Sequence, residues 1–151
     1  MANKIIFLDV DGVLNNESWV IRCAEEDNYY PLRENGLEDR ALALLAYIVR
    51  ETGASVVISS SWRRISAAMQ SLLQDLAKWK IPVVGETPLI SGDIRGNEIQ
   101  AWLDEHPEVE RFVILDDDDD MGDLIPHLVQ TTWKNGLQPI HKDAAIHLLN
   151  T

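Results

Sequence analysis

Apolar runs of four or five residues alternate with longer stretches whose apolar positions recur at helical spacing, which predicts an α/β fold with a mainly parallel central sheet. Two further observations support this. The short runs are apolar at successive positions, as in strands buried on both faces. Polar residues stand where those runs end, at Asp9, Ser59 and Asp116, the edge at which such sheets bind ligands.

Residues 4 to 8 form the first predicted strand, ending in polar, Gly-containing sequence. From Leu37, apolar residues recur at Ala41, Leu44, Leu45 and Ile48, a helical stripe that stops before Gly53. Ser55 to Ile58 reads as a second buried strand, and Ile65, Met69, Leu72, Leu73 and Leu76 as one face of a second helix. Ile81 to Val84 is the expected third strand. After a loop holding Pro88 and Gly92, Ile99, Trp102 and Leu103 mark a helix and Phe112 to Leu115 a fourth strand. A short fifth strand is expected near Leu128 to Thr131, and a closing helix over Asp143 to Leu149.

A chain of 151 residues suits one compact domain, 1–151, with helices covering both faces of the sheet as a three-layer α/β/α sandwich. No internal repeat or linker is visible. The segment 15–36 is too short for a large cap domain, but Trp19, Tyr29 and Tyr30 lie there among Glu25, Glu26 and Asp27. It reads equally as a flap over the site or as an ordinary surface loop.

A hydrophobic share of 46% and a charged share of 25% are those of a globular protein. The first apolar run is broken at once by Asp9 and no stretch could span a bilayer, so a cytoplasmic protein without a membrane partner is expected. Cys23 stands alone and reads as structurally neutral. The net charge of -12 repels a nucleic-acid backbone over most of the surface, although part of it is concentrated in Asp116 to Asp120.

Chemistry concentrates at the strand ends. Asp9 closes the first strand and Asp11 follows across a turn that Gly12 permits, so one carboxylate can attack a phosphoryl group while the other serves as acid and base. An anionic nucleophile needs a cation between itself and an anionic substrate. Asp116 is the best candidate ligand for a hard ion such as magnesium, with Asp117 as an outer partner and Asp118 to Asp120 as solvated loop. A calcium loop is disfavoured, because Met121 and Leu128 stand where its ligands are needed. Ser59 and Ser60 can donate to phosphoryl oxygens, Arg95 can balance the anions, and Arg63 is a further candidate substrate-binding residue. The plainer alternatives are a polar turn at Asp9, a helix cap at the serines and surface positions for Arg63 and Arg64. The four histidines show no ligand spacing, and Trp62, Trp79, Trp102 and Trp133 are expected to pack on the core.

The order Asp9-Val10-Asp11-Gly12-Val13, Val56-Val57-Ile58-Ser59, Arg95 and Val113-Ile114-Leu115-Asp116-Asp117 resembles the four motifs of the haloacid dehalogenase (HAD) superfamily. More narrowly, Ser59-Ser60-Ser61-Trp62-Arg63, Arg95-Gly96-Asn97-Glu98-Ile99 with Trp102, and Gly136-Leu137 resemble the HAD domains associated with nucleic-acid repair proteins. The resemblance implies a Rossmann-like fold, a phosphoaspartate on Asp9, and magnesium held by Asp9, the backbone carbonyl of Val10 and Asp116. The third-motif cation of the superfamily is commonly Lys, where Arg95 stands here; Lys78 and Lys80 are the alternatives.

The leading expectation is a magnesium-dependent phosphomonoesterase with an open site, acting on a phosphorylated small molecule or a nucleic-acid end, with no obligate protein partner evident. The competing expectation is a regulatory module that binds metal or phosphate without turnover. A phosphorelay receiver would carry its phosphate-accepting Asp after a central strand, where this chain has Ser59. Asp11, needed for protonating a leaving group but not for holding metal, favours the enzyme.

Overall fold

The computed structural model describes residues 3–27 and 37–151. Five strands, β1 (Lys4–Leu8), β2 (Ser55–Ile58), β3 (Val83–Glu86), β4 (Arg111–Asp116) and β5 (Leu128–Gln130), form one sheet in the order β3-β2-β1-β4-β5. Every pairing is parallel. Five helices accompany them: α1 (Glu17–Asp27), α2 (Asp39–Thr52), α3 (Ser66–Lys78), α4 (Arg95–Asp104) and α5 (Pro139–Asn150). The result is a Rossmann-like α/β/α sandwich. No helix among the described residues is long and apolar enough to cross a membrane.

The alternation of side chains along a strand divides the core in two. Ile6, Leu8, Val56, Ile58, Val113 and Leu115 point to one face, where Leu45 and Ile48 of α2, Leu72 and Leu76 of α3 and Leu149 of α5 cover them. Ile5, Phe7, Val57 and Ile114 point to the other, covered by Ile99 and Trp102 of α4 and by Met121 and Leu124. Truncating such a fully buried leucine or isoleucine to Ala costs about 2–5 kcal/mol. The central strands β1 and β4 are nearly inaccessible along most of their length, which is why they read as unbroken apolar runs.

Three elements differ from expectation. The third strand begins at Val83 rather than Ile81, because the Ile81 N–H closes α3 on Leu76 O and Pro82 has no N–H to give. The closing helix starts four residues earlier than Asp143, at Pro139, where Gln138 and His141 form a reciprocal cap. Within the candidate flap, residues 17–27 form a helix; Tyr29, Tyr30 and the rest of 28–36 lie outside the described residues.

Candidate active site

The carboxyl edge of the sheet is built outward from β1. Register with β4 continues one residue past Leu8, where the Asp9 N–H donates to Leu115 O (3.0 Å). The chain then turns sharply. Val10 O accepts from both Val13 N–H (3.0 Å) and Leu14 N–H (2.9 Å), closing the turn that carries Asp11 and Gly12. Gly12 sits at φ 84°, and a Cβ there would overlap the Asp117 carboxylate, so both the conformation and the approach of Asp117 require glycine. The chain after β5 clamps the turn from outside: Thr131 Oγ1 donates to Gly12 O (2.6 Å) and Leu137 N–H to Val13 O (3.0 Å).

Asp116 ends β4 beside Asp9, and Asp117 follows it. One carboxylate oxygen from each of Asp9, Asp116 and Asp117 lies within 4.8 Å of the others. Asp9 and Asp116 are almost fully buried. Burial pushes Asp9 up to about 6, opposed chiefly by the nearby Arg95 charge. Asp116 is pushed further, to about 9, first by burial and then by the Asp9 charge itself. Like charges crowded out of water favour protons or a metal ion. The donors are all hard oxygens, the set a divalent cation such as magnesium takes.

Ser59 leaves β2 next to Asp9, its N–H donating to Leu8 O (2.8 Å). Its buried hydroxyl has no hydrogen-bond partner among the described residues. Arg95, the first residue of α4, lies with Nη1 4.0 Å from Asp9 Oδ1 and donates to Ser59 O. Glu98, one turn further along α4 and 6% exposed, accepts from Arg63 Nη2 (3.0 Å) and lies 3.8 Å from Arg95 Nε. Its second oxygen accepts the Ile90 N–H (2.9 Å). The remaining Arg63 donors go to Ser60 O, Thr87 O, Thr87 Oγ1 and Pro88 O. Glu98 thus joins the exits of β2 and β3 to the start of α4.

Asp11 stands apart from the acidic cluster. Its Oδ1 accepts from Asn15 Nδ2 (2.8 Å), and the Trp62 indole N–H lies 3.2 Å from each of its oxygens. Beyond Asp117, Asp118 N–H donates back to Asp116 Oδ1 (3.0 Å) while the side chains of Asp118 and Asp119 are exposed. Asp120 is used differently: its Oδ2 accepts the Arg95 N–H (3.2 Å) and its backbone oxygen the Gly96 N–H (3.0 Å), so it seats the first turn of α4.

A family model described as the HAD domain in Swiss Army Knife RNA repair proteins matches residues 5–141. The chain belongs to this HAD family. At family level it is therefore a HAD-type hydrolase domain. No curated protein and no solved structure matches it.

In this HAD domain, Asp9, Asp116, Asp117, Ser59 and Arg95 converge on one edge of the sheet. Other expected roles are altered by their contacts. Val10 O accepts two N–H groups within the turn, from Val13 and Leu14. Ser60 Oγ accepts the Trp62 N–H (3.2 Å), capping a 3-10 turn over Ser61–Arg64. Each of the three Arg63 side-chain nitrogens donates inside the protein, so that Arg63 braces that loop. Asp120 is a helix cap rather than solvated loop. Lys78 and Lys80 close α3 at the opposite edge, just before β3 begins, so neither can replace Arg95. Trp133 is 42% exposed instead of packed. The residue types of Glu98, Trp62 and Asn15 carry no functional signal in the sequence; Glu98 and Trp62 are marked only by falling inside the motif-like stretches.

Proposed function

We propose that the domain, residues 1–151 taken as one unit, is a magnesium-dependent phosphomonoester hydrolase that works through an aspartyl-phosphate on Asp9. The observation that carries this reading is the convergence of the Asp9, Asp116 and Asp117 oxygens within 4.8 Å of one another beside the Arg95 cation. Magnesium held by these carboxylates supplies positive charge between nucleophile and phosphoryl group and favours the ionised forms of both buried aspartates.

The protein's own groups then divide the work. An Asp9 oxygen forms a bond to phosphorus as the bond to the leaving oxygen breaks, and Asp11 gives its proton to that oxygen. In the second half Asp11 takes a proton from the water that attacks phosphorus, releasing phosphate and restoring Asp9. Arg95 and the Ser59 hydroxyl meet the remaining phosphoryl oxygens, where charge must be balanced in both steps. Ser60 and Arg63 hold the loop that presents Ser59.

The family's link with RNA repair proteins supports a phosphorylated nucleic-acid end as substrate. The net charge of -12 favours a smaller phosphorylated molecule, because it slows the approach of a polyanion. A panel of phosphorylated metabolites, nucleotides and 3′- or 5′-phosphorylated oligonucleotides, assayed with magnesium and with EDTA, separates these classes. We expect magnesium-dependent phosphate release, and an acid-stable phosphoprotein that Asp9→Asn does not form. Metal binding with no turnover on any substrate would leave a regulatory module instead.

A further inference from the structure

We infer that Trp62 is a positioning residue for Asp11, and that with Asn15 it selects which carboxylate oxygen exchanges the proton. This rests on the reading above, in which Asp11 is the acid and base. The torsion that turns a carboxylate about its Cβ–Cγ bond has broad, shallow minima, so an unrestrained Asp11 presents either oxygen in many directions. Two donors remove that freedom. The Trp62 indole N–H sits symmetrically, 3.2 Å from Oδ1 and 3.2 Å from Oδ2, a position lost if the carboxylate rotates. Asn15 Nδ2 adds a bond to Oδ1 alone (2.8 Å), and Asn15 is itself oriented because its Oδ1 accepts the Gly12 N–H (3.0 Å).

Both holders are fixed from outside Asp11. Asn15 is fully buried. Trp62 lies in the 3-10 turn capped by Ser60 and braced by Arg63, and its half-buried ring packs against the larger core cluster. Among the described residues, Oδ1 therefore accepts from two donors, whereas Oδ2 receives only half of a shared one. Oδ2 is the oxygen left free to act. In the first half-reaction the proton on Oδ2 passes to the leaving oxygen as its bond to phosphorus breaks, leaving the Asp11 carboxylate. In the second, a proton of the attacking water passes to Oδ2 as the water oxygen bonds to phosphorus.

Trp62→Phe keeps an aromatic ring in place and removes the N–H. With full-length protein and magnesium, we expect its kcat on an alkyl phosphate to fall about ten- to a hundredfold, part of the ~10²–10⁴ that general acid–base assistance supplies. KM should stay within about twofold, and kcat on nitrophenyl phosphate, whose leaving group scarcely needs a proton, should hardly change. In an Asp11→Asn background the Trp62→Phe change should have no further effect. Equal losses on both substrates, or additive losses in the double variant, would mean that Trp62 only supports the fold. Should Trp62→Phe fail to fold, Asn15→Ala read on the same two substrates carries the test. Wild-type protein inactive on every phosphate ester overturns the hydrolase reading itself, whereas an active wild type with parallel losses overturns only this role.

Discussion

Two buried charge clusters meet at Arg95, and they are opposites in construction. On one side Arg63 and Glu98, whose side chains are 3% and 8% exposed, pair at 3.0 Å and satisfy their other polar atoms on Ser60, Thr87 and Ile90. On the other, Asp9, Asp116 and Asp117 crowd three carboxyl groups together with the Arg95 guanidinium 4.0 Å from Asp9. The first cluster neutralises itself and supports the loop geometry. The second is held by protons that a cation can replace, which is how a site that binds one differs from a brace.

The two clusters should respond in opposite directions when each loses one member. Removing one partner of a buried pair strands the other charge, so Arg63→Ala should destabilise the protein by about 3–5 kcal/mol in urea unfolding, nearer the lower figure because Arg95 stays close to Glu98. Asp116→Asn should do the reverse in EDTA-treated protein near neutral pH, raising the midpoint because the neutral amide no longer has to take up a proton on folding. If both substitutions destabilise equally, the acidic cluster is a brace too.

Acidity sharpens the same contrast. Asp9 is pushed up to about 6 and Asp116 to about 9, both above the ordinary value of 3.8. The folded state therefore holds protons that the unfolded chain has released. Such a contribution is complete below pH 4 and is lost as pH rises, first through 6 and then through 9. We expect this share of the stability of EDTA-treated protein to decline over pH 5 to 9, and Asp116→Asn to remove the larger part of the decline above pH 6. Saturating magnesium should flatten the profile by taking the protons' place. The diagnostic measurement is the difference between wild type and Asp116→Asn in thermal midpoint against pH; a difference independent of pH would rule out the crowding.

Much of this was legible in the sequence, for a physical reason. A strand buried on both faces must be apolar at every position, so β1, β2 and β4 announce themselves, and a carboxylate or serine directly after such a run must stand at the sheet edge. Asp9, Ser59 and Asp116 were found that way. Edge strand β3, less buried, begins two residues later than its apolar run suggests. Side-chain partnership was not legible. Arg63 looked free to bind phosphate because nothing local reveals that Glu98, 35 residues on, claims it, or that Trp62 reaches Asp11 across 51 residues. The hydrogen bonds that Val10 O accepts from Val13 and Leu14 are hidden for the related reason that a turn's internal bonds are invisible until the turn is seen.

The smallest expected effect lies inside the aspartate run, which in sequence looks uniform. Asp119 is exposed, and no side-chain hydrogen bond ties it to the described residues, so Asp119→Ala should change stability by less than about 0.5 kcal/mol. Asp120 accepts the N–H of Arg95 at the start of α4, where the helix leaves donors without partners and carries partial positive charge. Asp120→Ala should therefore cost about 1 kcal/mol, the usual loss for a helix cap. It should also slow phosphate release several-fold more than Asp119→Ala does, because the cap holds the residue whose guanidinium faces Asp9. Paired urea unfolding curves and steady-state rates on the two variants measure both differences. Identical behaviour would mean that the run acts only through its bulk charge, and that α4 needs no help from the acidic loop to place Arg95.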